Sequence, residues 1–250
     1  MIAETGEPKI IFESDQLLVL DKPAGWLTHP SGKGEGLSVT EWLIAHYPSL
    51  ATIGGSEKLQ DGTMIPRAGI LHRLDRETSG VLAVAKTEKS FNWFTQAFRE
   101  RTVKKVYRAI VSGTVKLADG VIDLPIGRSR QDPRRRVASR RASGNLRAAV
   151  TRYHVLERFT GHTYLELKPE TGRTHQLRAH LKAIHAPIIG DQLYASPRLA
   201  GLGPALPTIS RTALHALSLT LPLENGEQKS FEAPLPPDFS QTLDYLRRAC

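Results

Sequence analysis

Cysteine is almost missing from this chain: one in 250 residues, and that one, Cys250, is the last. A single thiol can close no intramolecular disulfide and build no cysteine-based zinc site, which excludes a disulfide-stapled secreted scaffold and points to a reducing compartment. No apolar run reaches the ~18 residues of a membrane span, and MIAETGEPKIIF lacks the charged-then-apolar order of a signal peptide. The expectation is a cytoplasmic protein with no membrane partner. Neither GxxxxGKS/T nor GxGxxG occurs, so a phosphate loop and a dinucleotide fingerprint are both excluded. Acidic residues are the scarcer charge, 25 Asp and Glu against 34 Lys and Arg.

With 40% hydrophobic residues the chain can bury a substantial core unaided, as one long domain or two intimately packed lobes. Its net charge of +9 is concentrated. Residues 128–152 hold nine arginines, no lysine and one acid, Asp132, a local charge of +8 that leaves +1 for everything else. Charge focused in this way suits neighbouring phosphates; a solvated basic loop is the plainer alternative.

Apolar patterning predicts two short strands in IIFESDQLLVLDKPAG around a turn at residues 13–15, and a helix capped by Ser38 and Glu41 before WLIAHYPSL. Residues 54–67 read as loop. GILHRLD and VLAVAKT read as strands separated by RETSG, and Thr87 as the cap of a helix carrying Phe91, Phe94 and Phe98. KKVYRAIVSGTV, VIDLPIG, TRYHVLERF and HTYLELKPE are strand-like, so the arginine-rich segment is an excursion between strands. Two further helices follow, one capped by Thr174 and passing through Leu177, Leu181 and Ile184, the other starting near Asp238 with Phe239, Leu243 and Leu246 inward. There is no internal repeat and no convincing linker. The class is α+β or mixed α/β, one domain of catalytic size over residues 1–250.

Two strings carry polar chemistry. HRLDRETSG, residues 72–80, sets Asp75 among short polar residues between Arg73 and Arg76, available as nucleophile or base; read alone, an aspartate there serves turn amides. ETGRTHQLRAHLKAIHAPIIGDQLY, residues 170–194, has histidines at 175, 180 and 185, but steps of five residues turn a helix by about 140° net, so they share no face and no metal site is expected. By themselves Arg178 is a surface arginine and Tyr107 a core-facing strand aromatic. Asp75 and Glu77, two apart in a turn, cannot flank a sugar as a glycosidase pair must.

Taken together these strings resemble the RluA-type family of RNA pseudouridine synthases. The resemblance rests on LLVLDKPAGWLTHP (17–30), GILHRLDRETSGVLAVAKT (69–87), KKVYRAIVSG (104–113), LKPETGRTHQLRAHL (167–181), APIIGDQLY (186–194) and LHA (214–216), in family order. It implies a bent, mixed, mostly antiparallel sheet with flanking helices and a central catalytic cleft. It also implies cofactor-free, metal-free isomerisation of uridine in ribosomal or transfer RNA, by a monomer unless shown otherwise. Asp75 is then the essential nucleophile, Tyr107 the residue that stacks on the target base, and Arg178 the partner that orients Asp75. Arg73 fills the gap left by the flipped nucleotide, with His72, Arg173, His175 and Gln176 as neighbouring RNA contacts. About ten residues precede the first family strand, so the small N-terminal S4-like RNA-binding module of many relatives is expected to be absent, with Arg134, Arg135, Arg136, Arg140 and Arg141 taking over part of the anchoring. Ala195 after GDQLY, where relatives often have glycine, is a mild departure. A noncatalytic RNA-binding protein and a hydrolase releasing uracil are the rival readings.

Overall fold

The computed structural model describes residues 6–30, 36–58, 62–140, 142, 144–194 and 209–249. Arg141, Ala195 and Cys250 lie outside them. In chain order the elements are β1 (Lys9–Glu13), β2 (Leu17–Lys22), α1 (Val39–His46), a 3-10 turn (Pro48–Thr52), β3 (Ser56–Lys58), β4 (Met64–Pro66), β5 (Ser79–Ala85), α2 (Glu88–Glu100), β6 (Lys104–Ser112), β7 (Asp119–Asp123), β8 (Ile126–Arg128), β9 (Arg136–Ala138), β10 (Val150–Phe159), β11 (His162–Pro169), α3 (Gln176–Ala183), β12 (Leu214–Pro222), β13 (Gln228–Glu232) and α4 (Pro237–Arg248). The chain divides into two compact units, residues 1–104 with 216–234, and residues 105–215 with 235–250. Each unit is discontinuous in sequence, which no linker composition announces.

In the first unit the strands follow the order β1-β2-β5-β12, with β13 paired to β12. β2 pairs antiparallel with β1 on one side and β5 on the other, Leu17 facing Ala85 and Lys22 facing Gly80. The uninterrupted apolar run LLVL is buried on both faces of β2, and Val19, Ala83, Phe91, Phe94, Leu221 and Phe231 meet in one core. Phe231 comes from β13, and Phe91 and Phe94 from α2. Its start is a reciprocal capping box, in which Ser90 N–H donates to Thr87 Oγ1 and Thr87 N–H to Ser90 Oγ.

In the second unit the order is β6-β11-β10-β7, each pair antiparallel. Its core joins Ile110, Leu165 and Leu167 of the sheet to Leu181 of α3 and Phe239 and Leu243 of α4. Within the arginine-rich excursion β8 and β9 form a two-stranded ribbon, with Arg128 opposite Arg136 and residues 129–135 at its tip.

Three expectations are corrected. GILHRLD is not a strand. Gly69 adopts φ 70 so close to β5 that a Cβ there would lie 2.0 Å from the Ala85 carbonyl oxygen, and Ala68 is also left-handed, so the segment bends and keeps only an isolated bridge from Ile70 to Val84. Residues 54–67 are not all loop, because β3 and β4 pair as a short hairpin whose exposed charged residues hide its period. Thr174 does not cap α3; the cap is His175, left-handed at φ 54, with no side-chain capping bond.

Candidate functional site

Asp75 stands on a loop that the first unit pins from both directions along the chain. Thr28 Oγ1 donates to the Leu74 carbonyl at 2.8 Å and accepts from Leu74 N–H at 3.1 Å, locking the residue before the aspartate. The Asp75 carbonyl accepts from Thr78 N–H at 3.0 Å, closing the turn after it. Lys22 is fully buried, and its Nζ donates to the carbonyls of Pro23, Trp26 and Arg76 at 2.9, 2.8 and 3.1 Å. A buried ammonium is stable only when so provided with acceptors, and here it ties the Pro23–Trp26 loop to the residue after Asp75. Gly25 completes the tie, its N–H donating to the Arg76 carbonyl and its carbonyl accepting from Arg76 Nε.

On the same loop Arg73 is exposed, while His72 turns inward: its Nε2 accepts from Ala83 N–H at 3.1 Å, and its ring lies 5.3 Å from that of Phe98. His29 places Nδ1 2.9 Å from Thr40 Oγ1, and burial holds its pKa down to about 4, against the pull of Glu57 and helped by Arg73 and Arg67.

The second unit carries the other residues. Tyr107 lies on β6 opposite Leu167, half-buried against the core, and shares its strand face with Lys105, whose pKa is lowered by desolvation. Arg178 is on α3, and its side chain is not the surface arginine that spacing alone suggests. Its Nε and Nη2 donate to the two carboxylate oxygens of Asp191 at 2.7 and 2.8 Å, in a pair with side-chain exposures of 11% and 0%. Asp191 Oδ1 also accepts from the backbone N–H groups of Leu193 and Tyr194. The Tyr194 ring lies beneath the Arg178 guanidinium, 5.0 Å from carbon to centroid.

The residues expected to touch RNA separate. Gln176 is buried, its amide oxygen accepting from Thr171 Oγ1 and Arg173 N–H and its amide nitrogen donating to Val150 O and Thr151 Oγ1. It braces the start of α3. Arg173 donates from Nε to the Ala148 carbonyl, and His175 Nδ1 lies 3.2 Å from the Tyr194 hydroxyl. In the ribbon Arg134 and Arg135 are exposed but share Asp132, whose carboxyl Arg134 holds down to about 2. The Arg136 guanidinium folds back onto the carbonyls of Pro133 and Arg135, and Arg140 is exposed.

Sequence reasoning missed Lys22, Lys105, Asp191 and Tyr194. Lys105 was within reach, since period-two alternation in KKVYR sets it beside Tyr107. Asp191 and Tyr194 act through tertiary contacts that no spacing encodes.

Known proteins resemble this chain over most of its length. The model of the family described as RNA pseudouridylate synthase matches residues 16–183. The ribosomal large subunit pseudouridine synthase D of Neisseria meningitidis serogroup A is 41% identical over 95% of this chain and 61% of its own length. An uncharacterized RNA pseudouridine synthase of Synechocystis is 38% identical over 99% of this chain and 72% of its own. The chain therefore spans about three fifths of the Neisseria protein. Among solved structures, human RNA Pseudouridylate Synthase Domain Containing 1 superposes with a TM-score of 0.73 at 26% identity, covering 100% of this chain and 96% of that one. Human RNA Pseudouridylate Synthase Domain Containing 4 gives 0.71 at 29% identity, covering 96% and 93%. The α+β class expected from the sequence is the class of these domains.

Proposed function

The chain belongs to the RNA pseudouridylate synthase family, and on that premise we propose that it isomerises uridine in structured RNA to pseudouridine, with Asp75, Tyr107 and Arg178 as the catalytic set. The observation that carries this reading is that the matched span, residues 16–183, contains all three with their surrounding strings intact. The relatives named for the ribosomal large subunit favour ribosomal RNA as the substrate and the cytoplasm as the place of work.

The reaction breaks the bond between ribose C1′ and uracil N1, turns the base, and joins C1′ to C5, from which a proton is lost while the freed N1 gains one. No atom is added and no electron leaves, so the side chains themselves suffice. Uridine inside folded RNA must first leave its stack, at a cost of about a few kcal/mol, and Arg73, which solvent reaches, is suited to hold the gap open. Asp75 assists departure of the base, by attack on ribose or by supporting a glycal-like intermediate, from a loop whose backbone is already tied down by Thr28 and Lys22. That prior ordering lowers the entropy lost in reaching the reactive geometry. Tyr107 stacks on the base and assists loss of the C5 proton. Arg178 orients the aspartate, and its own orientation is set by the bidentate pair with Asp191.

The experiment is tritium release from total RNA labelled at uridine C5, prepared from cells lacking the protein, with wild type beside Asp75→Asn. Release by wild type alone, with uracil still attached to the RNA, is the expected outcome. Free uracil would indicate a hydrolase. No release by either protein, with RNA binding intact, would make the chain a noncatalytic RNA-binding protein.

A further inference from the structure

One side chain of the second unit touches both the arginine-rich ribbon and the guanidinium assigned to catalysis. The Tyr194 hydroxyl accepts a hydrogen bond from the backbone N–H of Arg136, the first residue of β9, at 2.7 Å. Its ring carries Arg178 above it, and its backbone N–H donates to Asp191, the same carboxylate that accepts from the Arg178 guanidinium. Tyr194 is 4% exposed and Asp191 1%, so the bond between them lies in the low-dielectric interior where it is strongest, while the bond to Arg136 is part-buried. His175, left-handed at the start of α3 and 3.2 Å from the Tyr194 hydroxyl, holds the helix of Arg178 to the same oxygen.

The ribbon end of this linkage is equally specific. Arg136 follows directly on the tip, where Arg130, Arg134 and Arg135 are exposed, and its guanidinium braces the tip through the Pro133 and Arg135 carbonyls. A phosphate gripped by the tip arginines therefore pulls on the residue whose amide is fastened to Tyr194. A phenol ring has no internal torsion between its hydroxyl and its face, so displacement at one end is delivered to the other.

We propose that Tyr194 is a positioning residue that couples RNA engagement by the arginine-rich ribbon to the placement of Arg178. The coupling rests on the proposed role of Arg178 for its catalytic meaning, but its physical content is separable from that role. Tyr194→Phe is the informative variant, because it removes the hydroxyl link to Arg136 and His175 and keeps both the ring under Arg178 and the backbone bond to Asp191.

A uridine-free RNA duplex offers phosphates to the ribbon and no target base. Titrated into the full chain, it should shift the NMR resonance of the Arg178 Nε–H in wild type and leave it in place in Tyr194→Phe, while the affinity for the duplex is unchanged. Single-turnover tritium release from uridine-labelled RNA should fall about tenfold in the variant, within the usual range of intramolecular coupling. Arg130→Gln with Arg135→Gln, which leaves the core untouched, should also abolish the resonance shift. A resonance that moves equally in all proteins, one that does not move in wild type, or, where wild type releases tritium, a single-turnover rate unchanged in the variant overturns the proposal. A wild type whose resonance responds but which releases no tritium keeps the coupling and removes the proposed reaction, so the two readings fail separately.

Discussion

His29 is a histidine built to stay neutral. Burial beside Thr40 holds its pKa at about 4, against 6.5 for the free side chain, so between these values the unfolded chain binds a proton that the folded chain refuses. The stability it contributes is complete above about pH 6.5 and is lost as pH falls toward 4, at most about 3 kcal/mol. Urea unfolding at pH 7 and pH 4.5 should therefore show a larger acid loss for wild type than for His29→Gln, and equal losses would refute the assignment. Residues whose state is set by burial in this way explain why the candidate site was only half legible. The roles of Asp75, Tyr107 and Arg178 came from family resemblance, because an aspartate in a turn, a tyrosine in a strand and an arginine on a helix each have a commoner structural use. Arg178 is held as more than a surface charge by Asp191, 2.7 Å away and thirteen positions further along the chain, and by the Tyr194 ring beneath it.

Elements were legible where local chemistry and tertiary packing agree. α2 announced itself through Thr87 and the spacing of Phe91, Phe94 and Phe98, and in the fold the cap and the buried face coincide. Thr87→Ala should cost about 1 kcal/mol in a urea titration, the usual value of a lost N-cap, without altering affinity for RNA. The start of α3 could not be read, because its cap is a left-handed His175 whose ring nitrogen lies against the Tyr194 hydroxyl, nineteen positions away and beyond any local window. GILHRLD failed for a related reason: its apolar residues suit a strand, but the left-handed backbone at Ala68 and Gly69 follows from how closely that segment approaches β5. The β3–β4 hairpin was hidden because three-residue strands are too short to display a period.

At the scale of the whole molecule the net charge of +9 is almost entirely the +8 of residues 128–152, and the structure turns most of that segment into an ordered ribbon and its flanks. If about half of its nine arginines meet phosphates, the logarithm of RNA affinity should fall against the logarithm of salt with a slope of about −3 to −5. Neutralising Arg134, Arg135, Arg136, Arg140 and Arg141 together should flatten that slope, measured by filter binding across a salt series; an unchanged slope would show that the anchoring lies elsewhere. The division of the chain into interlaced units has a consequence for its synthesis. Residues 216–234, which supply most of β12 and all of β13 to the first unit, leave the ribosome only after residues 105–215 have been made. The first unit must therefore wait for its last two strands until the sheet of the second has been translated, exposing an unfinished edge at β5 to the cell in the meantime.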